Sequence, residues 1–198
     1  MNEIDILSQV TNFLAVGNVD EAKQTISHEY PFTPVRKEGR NYTVREMLEQ
    51  FCRDGFIDRY SGNKLIHPGI LRVFSEKMPK EFPYQAHWKT DECHIAYWEY
   101  QPTIDHIYPI SLGGADAPEN WASTSMINNT AKGNFTLEQL GWTLKPAGDM
   151  NDWDGLSGKF LELVEADTSL LGIRKIKEWY IATKRILETD RYYSRTFL

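Results

Sequence analysis

Asp105 and His106 stand side by side, and Gly113-Gly114, Asn120, Asn129 and Lys132 follow at offsets that read D-H-x13-N-x8-N-x2-K. A neutral imidazole, whose ordinary pKa lies near neutrality, can take a proton from water, which makes His106 the candidate base. A carboxylate and a side-chain amide offer hard oxygens to a magnesium-sized cation, so Asp105 and Asn129 are the candidate ligands. Two protein ligands leave most of an octahedron to water, to a phosphate oxygen and to the departing 3′ oxygen. Lys132 could touch a flanking phosphate. The chemistry these types suit together is metal-assisted hydrolysis of a phosphodiester. Taken singly, each has an ordinary structural use: an Asp-His pair satisfies itself, asparagines cap and turn, and a last-turn lysine complements the helix dipole. The joint spacing carries the argument.

The elements that must hold these residues can be read around them. A strand is predicted from Thr103 to Ile110, with Asp105 and His106 on opposite faces if the backbone is regular. A Gly113-Gly114 loop, a second strand from near Trp121 and a helix from about Thr124 to Lys132 follow, with Gly133 as the stop. Upstream, Ile6, Leu7, Val10, Phe13 and Leu14 recur at helical spacing and end at Gly17-Asn18. Asp20 is a candidate cap for a second helix ended by Tyr30-Pro31. Thr43-Val44-Arg45-Glu46 has the form of a capping box, opening a helix that stops near Gly55. Phe56–Tyr60, the turn-rich Ser61-Gly62-Asn63-Lys64 and Leu65-Ile66 predict a β-hairpin. Residues 76–103, rich in Pro, Trp and Tyr, read as a long ordered loop or short helices. Their Trp88–Tyr100 stretch could stack on bases or simply pack. Thr136 to Gln139 forms another capping box, and Trp153 to Leu187 is helical with a break near Asp167-Thr168-Ser169.

With these residues in place, the chain resembles the HNH nuclease family, whose ββα-metal motif is strand, loop, strand and helix. The resemblance runs from Phe56 to Lys132 and is densest from Thr103 to Gly133. It implies an α+β fold: a helical segment over 1–54, a nuclease core over 55–145 and a helical segment over 146–198. It also implies that Asn120 braces the loop and orients the histidine rather than reacting. Many members hold a structural zinc with two CxxC pairs; the corresponding positions here are Asp58, Ser61, Ser125 and Asn128. Four soft ligands have become hard hydrogen-bonding side chains, so no structural zinc is expected, and hydrogen bonds among these positions are expected to join hairpin to helix. The expected cofactor is Mg2+ or Mn2+. Arg59 and Arg72 flank the expected groove as candidate phosphate contacts, beside Lys132.

The chain has 198 residues and a net charge of −6, which does not suit a passive nucleic-acid binder. The charge is uneven: residues 1–35 carry −4, 36–80 carry +4, 81–154 carry −8 and 155–198 carry +2. Basic stretches could thus flank an acidic centre, where a divalent cation would offset negative charge as a phosphate approaches, or these charges are solvated helix faces. Cys52 and Cys93 form no CxxC and read as free thiols. No segment is long and apolar enough for a bilayer, and the first residues lack a basic region before an apolar core, so a cytoplasmic location is expected. DNA is the expected partner, in a restriction or phage-defence setting, with a homodimer as a route to cutting both strands. RNA or single-strand cleavage, and a non-catalytic DNA-binding module, are the competing expectations.

Overall fold

The computed structural model describes residues 1–33 and 42–196, with side chains described as far as residue 188. They fall into two compact units, Met1–Arg40 and Asn41–Leu198. Arg36, Lys37 and Arg40, which open the basic stretch, lie outside the described residues. The first unit is a helical hairpin of α1 (Glu3–Ala15) and α2 (Val19–Glu29). Asn2 caps α1 by accepting from the Asp5 amide, and Ile6 and Val10 are buried one turn apart. Gly17, at φ +78, supplies the left-handed turn between the helices. The cap of α2 is Asn18 rather than Asp20: Asn18 accepts from the Glu21 amide, and Asp20 sits in the first turn, where a carboxylate suits the helix dipole.

The second unit begins with α3 (Val44–Arg53), opened by the expected capping box: Glu46 donates its amide to Thr43 Oγ1, while its carboxylate accepts from the Thr43 amide at 2.8 Å. Leu48 and Phe51 go into the core. Between Phe56 and Ile66 the expected hairpin is reduced to a single bridge, Ile57 to Lys64. The cause is Asp58, whose carboxylate accepts from the Tyr60 and Ser61 amides and curls the chain before a ladder can extend. Next comes α4 (Pro68–Lys77), with Pro68 at its first turn and the His67 ring accepting from the Gly69 amide at 3.0 Å. Residues 78–101 form turns and the short α5 (Ala96–Glu99). Their aromatic groups pack on one another around Leu71, Cys93 and Tyr97, and the Trp98 indole donates to the Trp88 carbonyl.

A two-stranded antiparallel ribbon follows, β1 (Pro102–His106) against β2 (Trp121–Ser125), with Asp105 opposite Ala122 and His106 opposite Trp121. Ser125 then caps α6 (Met126–Lys132), and Gly133 ends it at φ +53. A second capping box starts α7 (Leu137–Leu140). The C-terminal part is α8 (Ser157–Ala166), a 3-10 stretch over Thr168–Gly172 at the expected break, and α9 (Arg174–Thr196). Phe51, Phe56, Leu65, Ile70, Phe160, Val164 and Ile176 form the main core between α3, α4, α8 and α9. At about 2 kcal/mol for each large apolar side chain, this core is what holds the ribbon's supports rigid. The fold is thus mixed α+β, mostly helical, with one small sheet followed by a helix. Among the described residues, no helix is long and apolar enough to cross a membrane.

Candidate functional site

The pleat of β1 sorts its side chains onto two faces. Ile104 packs on the main core, and its partner Ser123 donates to the Gln50 carbonyl of α3 at 3.3 Å, so Ile104 and His106 face α3. Thr103 and Asp105 face α6. Asn129 donates its amide to Thr103 Oγ1 at 3.0 Å and to the Ile104 carbonyl at 3.4 Å. One turn on, the Lys132 ammonium lies 2.9 Å from Asp105 Oδ2 and donates to the His106 carbonyl at 2.7 Å. The same Asp105 oxygen accepts from the Tyr60 hydroxyl at 2.6 Å. Burial, reinforced by the Asp105 charge, pushes the Tyr60 phenol far above its ordinary range, so it remains a donor. Asp105 therefore has one oxygen bound twice and the other, Oδ1, without a hydrogen bond among the described residues.

His106 closes β1 with only 3% of its surface exposed, yet its surroundings are polar. Nε2 lies 2.9 Å from Asp116 Oδ1 and 3.3 Å from the Tyr42 hydroxyl. Tyr42 itself donates to Asp116 Oδ1 at 2.8 Å, and the Trp121 indole donates to the same oxygen at 2.9 Å. Partial burial would raise the Asp116 carboxyl, but the bonds from His106, Tyr42 and Trp121 outweigh it and hold it below the ordinary value. Neither Asp116 nor Tyr42 belongs to the motif. The signal that could have found Asp116 is the Gly113-Gly114 turn, which sends the chain back toward the histidine.

Asn120 fastens that turn. Its amide donates to the Tyr108 and Ala115 carbonyls at 2.9 and 2.8 Å, and its oxygen accepts from the Tyr108 amide at 2.8 Å. Gly114 is required at its place because a Cβ there would stand 2.1 Å from the Tyr108 oxygen. The loop from Tyr108 to Asn120 is thus folded back on itself, with its two ends also joined by the Ile107 amide and the Asn120 carbonyl at 2.8 Å.

Two of the three expected phosphate contacts, Lys132 and Arg59, turn inward. Lys132 is fully buried and spends its ammonium on Asp105 and the His106 carbonyl, so it cannot reach a flanking phosphate. Arg59 donates to Asp54 at 2.5 Å and to the Lys145 carbonyl at 2.6 Å, with its side chain 17% exposed. Arg72 lies over the Tyr84 ring, its guanidinium carbon 3.8 Å from the ring centre. In each case an internal partner had no signature in the local sequence. Among the described residues Cys52 and Cys93 form no disulfide, and His94 stacks on Phe82.

Beside the site lies a polar joint built on Asp58. Its Oδ2 accepts from the Ser125 amide at 2.9 Å and Asn128 Nδ2 at 2.8 Å, and its Oδ1 from Thr124 Oγ1 and the Tyr60 and Ser61 amides. Hydrogen bonds among positions 58, 61, 125 and 128 therefore tie the turn to the start of α6, with Ser61 taking part through its backbone. Burial would raise the Asp58 carboxyl, but these donors win and lower it.

Among the described residues, no three His, Cys, Asp or Glu side chains gather as a metal cluster. The oxygens that would suit a hard cation are Asp105 Oδ1 and the Asn129 amide oxygen, the latter left over once Nδ2 is bonded to β1. A carboxylate and an amide on one side of a strand–helix seam fit a weakly held magnesium-type ion better than a zinc. No family model matches the chain, and no curated protein or solved structure matches it.

Proposed function

We propose that the chain is a metal-dependent endonuclease of the HNH type that hydrolyses DNA phosphodiester bonds. The observation that carries this reading is the docking of α6 on β1 through Asn129 and Lys132, which sets Asp105 and Asn129 along one seam while the adjacent His106 is gripped by its far nitrogen. On this reading the ribbon, the folded-back loop and α6 are the ββα-metal motif, and Asn120 is the brace of its loop. His106 takes the proton of an attacking water. Asp105 and Asn129 would hold Mg2+ or Mn2+, which supplies charge relief at the phosphate and at the departing oxygen when bound. A phosphate at the end of the ribbon would meet the imidazole from the α3 side and the two oxygens from the α6 side. Lys132 acts within the protein: it fixes Asp105 Oδ2 and leaves Oδ1 for the cation. Phosphates of the flanking strand must be met by groups other than Lys132 and Arg59, which are committed internally.

The test is incubation of purified protein with plasmid DNA and with structured RNA, in Mg2+ and in EDTA. Cleavage of DNA that disappears in EDTA and falls by roughly 10²–10⁴-fold in His106→Ala is the expected result. Cleavage of RNA alone would move the substrate. Binding of DNA without cleavage in any divalent metal would replace the enzyme by a binding module.

A further inference from the structure

The loop from Tyr108 to Trp121 brings a carboxylate to a ring nitrogen of His106, a contact outside the motif. We propose that Asp116 is a positioning residue that fixes His106 as the Nε2–H tautomer and leaves Nδ1 as the proton acceptor. The use of that tautomer rests on the nuclease reading; the geometry does not.

An ionised carboxylate carries no proton, so a hydrogen bond of 2.9 Å between Asp116 Oδ1 and Nε2 needs the proton on the ring. The opposite tautomer would face two lone pairs at that distance. Asp116 is unable to turn away, because Tyr42 and Trp121 donate to the same oxygen and their rings meet edge to face at 4.9 Å. Among the described residues, no hydrogen bond is made to Nδ1, so that nitrogen keeps its lone pair for a substrate water. An imidazole base is held in one tautomer by the bond its other nitrogen makes, as in the orienting carboxylate of a serine hydrolase triad. Gly114 and Asn120 belong to this device, for they fold the loop that delivers Asp116.

The experiment is nitrogen-15 NMR of the imidazole signals at alkaline pH in EDTA, on the whole chain, with His106→Gln to assign its peaks. The wild type should show the Nε2–H form. Asp116→Ala should show a mixture of both forms, and Tyr42→Phe, which removes one donor to Asp116, should keep the wild-type form. In the cleavage assay Asp116→Ala should lower kcat by roughly 10–100-fold with KM unchanged. A wild-type Nδ1–H form, or an unchanged tautomer in a folded Asp116→Ala, would sink the proposal. So would a rise in KM at constant kcat, which would mean a substrate contact. The NMR sample holds no metal or nucleic acid, so a protein that cleaves nothing yet shows the expected tautomer loses the nuclease reading and keeps the positioning role.

Discussion

Asp58 and Asp105 face the same helix from the same side of the ribbon, yet they are used in opposite ways. Asp58 accepts five hydrogen bonds, spread over both oxygens, and has nothing left to offer. Asp105 concentrates Tyr60 and Lys132 on one oxygen. The difference separates structure from chemistry: a saturated carboxylate is a joint, and a half-used one is a candidate ligand. Residue type alone does not distinguish them; the count of donors around each oxygen does.

That contrast can be broken by mutation. Asp58→Ala strands several buried donors and should cost roughly 3–5 kcal/mol in urea denaturation; a loss under about 1 kcal/mol would show that the joint holds nothing together. Lys132→Met leaves Asp105 without its cation and should cost about 3 kcal/mol, while the Asp105→Asn, Lys132→Met pair should cost less than the two single changes added together. Gly114→Ala forces the Tyr108 carbonyl aside and should cost about 1–3 kcal/mol, with a larger proportional loss of cleavage than of folded protein. Mn2+ titration by calorimetry should show about tenfold weaker binding in Asn129→Ala and unchanged binding in Asp58→Asn at a temperature where both are folded; equal loss in both would erase the distinction between joint and site.

The contrast also has a signature in pH. The Asp58 carboxyl is lowered in the folded chain, so on acidification the unfolded chain takes up the proton first. Its contribution is complete above the ordinary aspartate range and disappears as pH falls through the folded value. Asp58→Asn should flatten that part of a stability–pH curve measured by denaturation. His67 acts at higher pH: complete burial lowers it to about 3, so its neutral form stabilises the fold above the ordinary histidine value and that contribution is lost progressively as pH drops toward 3.

What the sequence made legible was local. The capping boxes at Thr43 and Thr136, the ribbon and α6 each follow from residues a few positions apart, while the Asn120 brace and the replacement of CxxC pairs by hydrogen-bonding groups follow only from the family resemblance. What stayed hidden depended on distant partners. Asp58 looked like part of a strand until its five donors turned it into a hub. Lys132 and Arg59 have the composition of phosphate contacts, and only the tertiary neighbours Asp105 and Asp54 reveal their inward use. Asp116 is ten residues from His106, and a loop had to fold back to unite them.

The buried ammonium of Lys132 has a practical consequence for chemical labelling. An amine sealed under α6 should be among the last lysines to react with an acylating reagent, because reaction requires the helix to lift from β1. Mass spectrometry of its modification over time would therefore serve as a clock for that local opening, and a bound divalent ion at the neighbouring carboxylate should slow the clock.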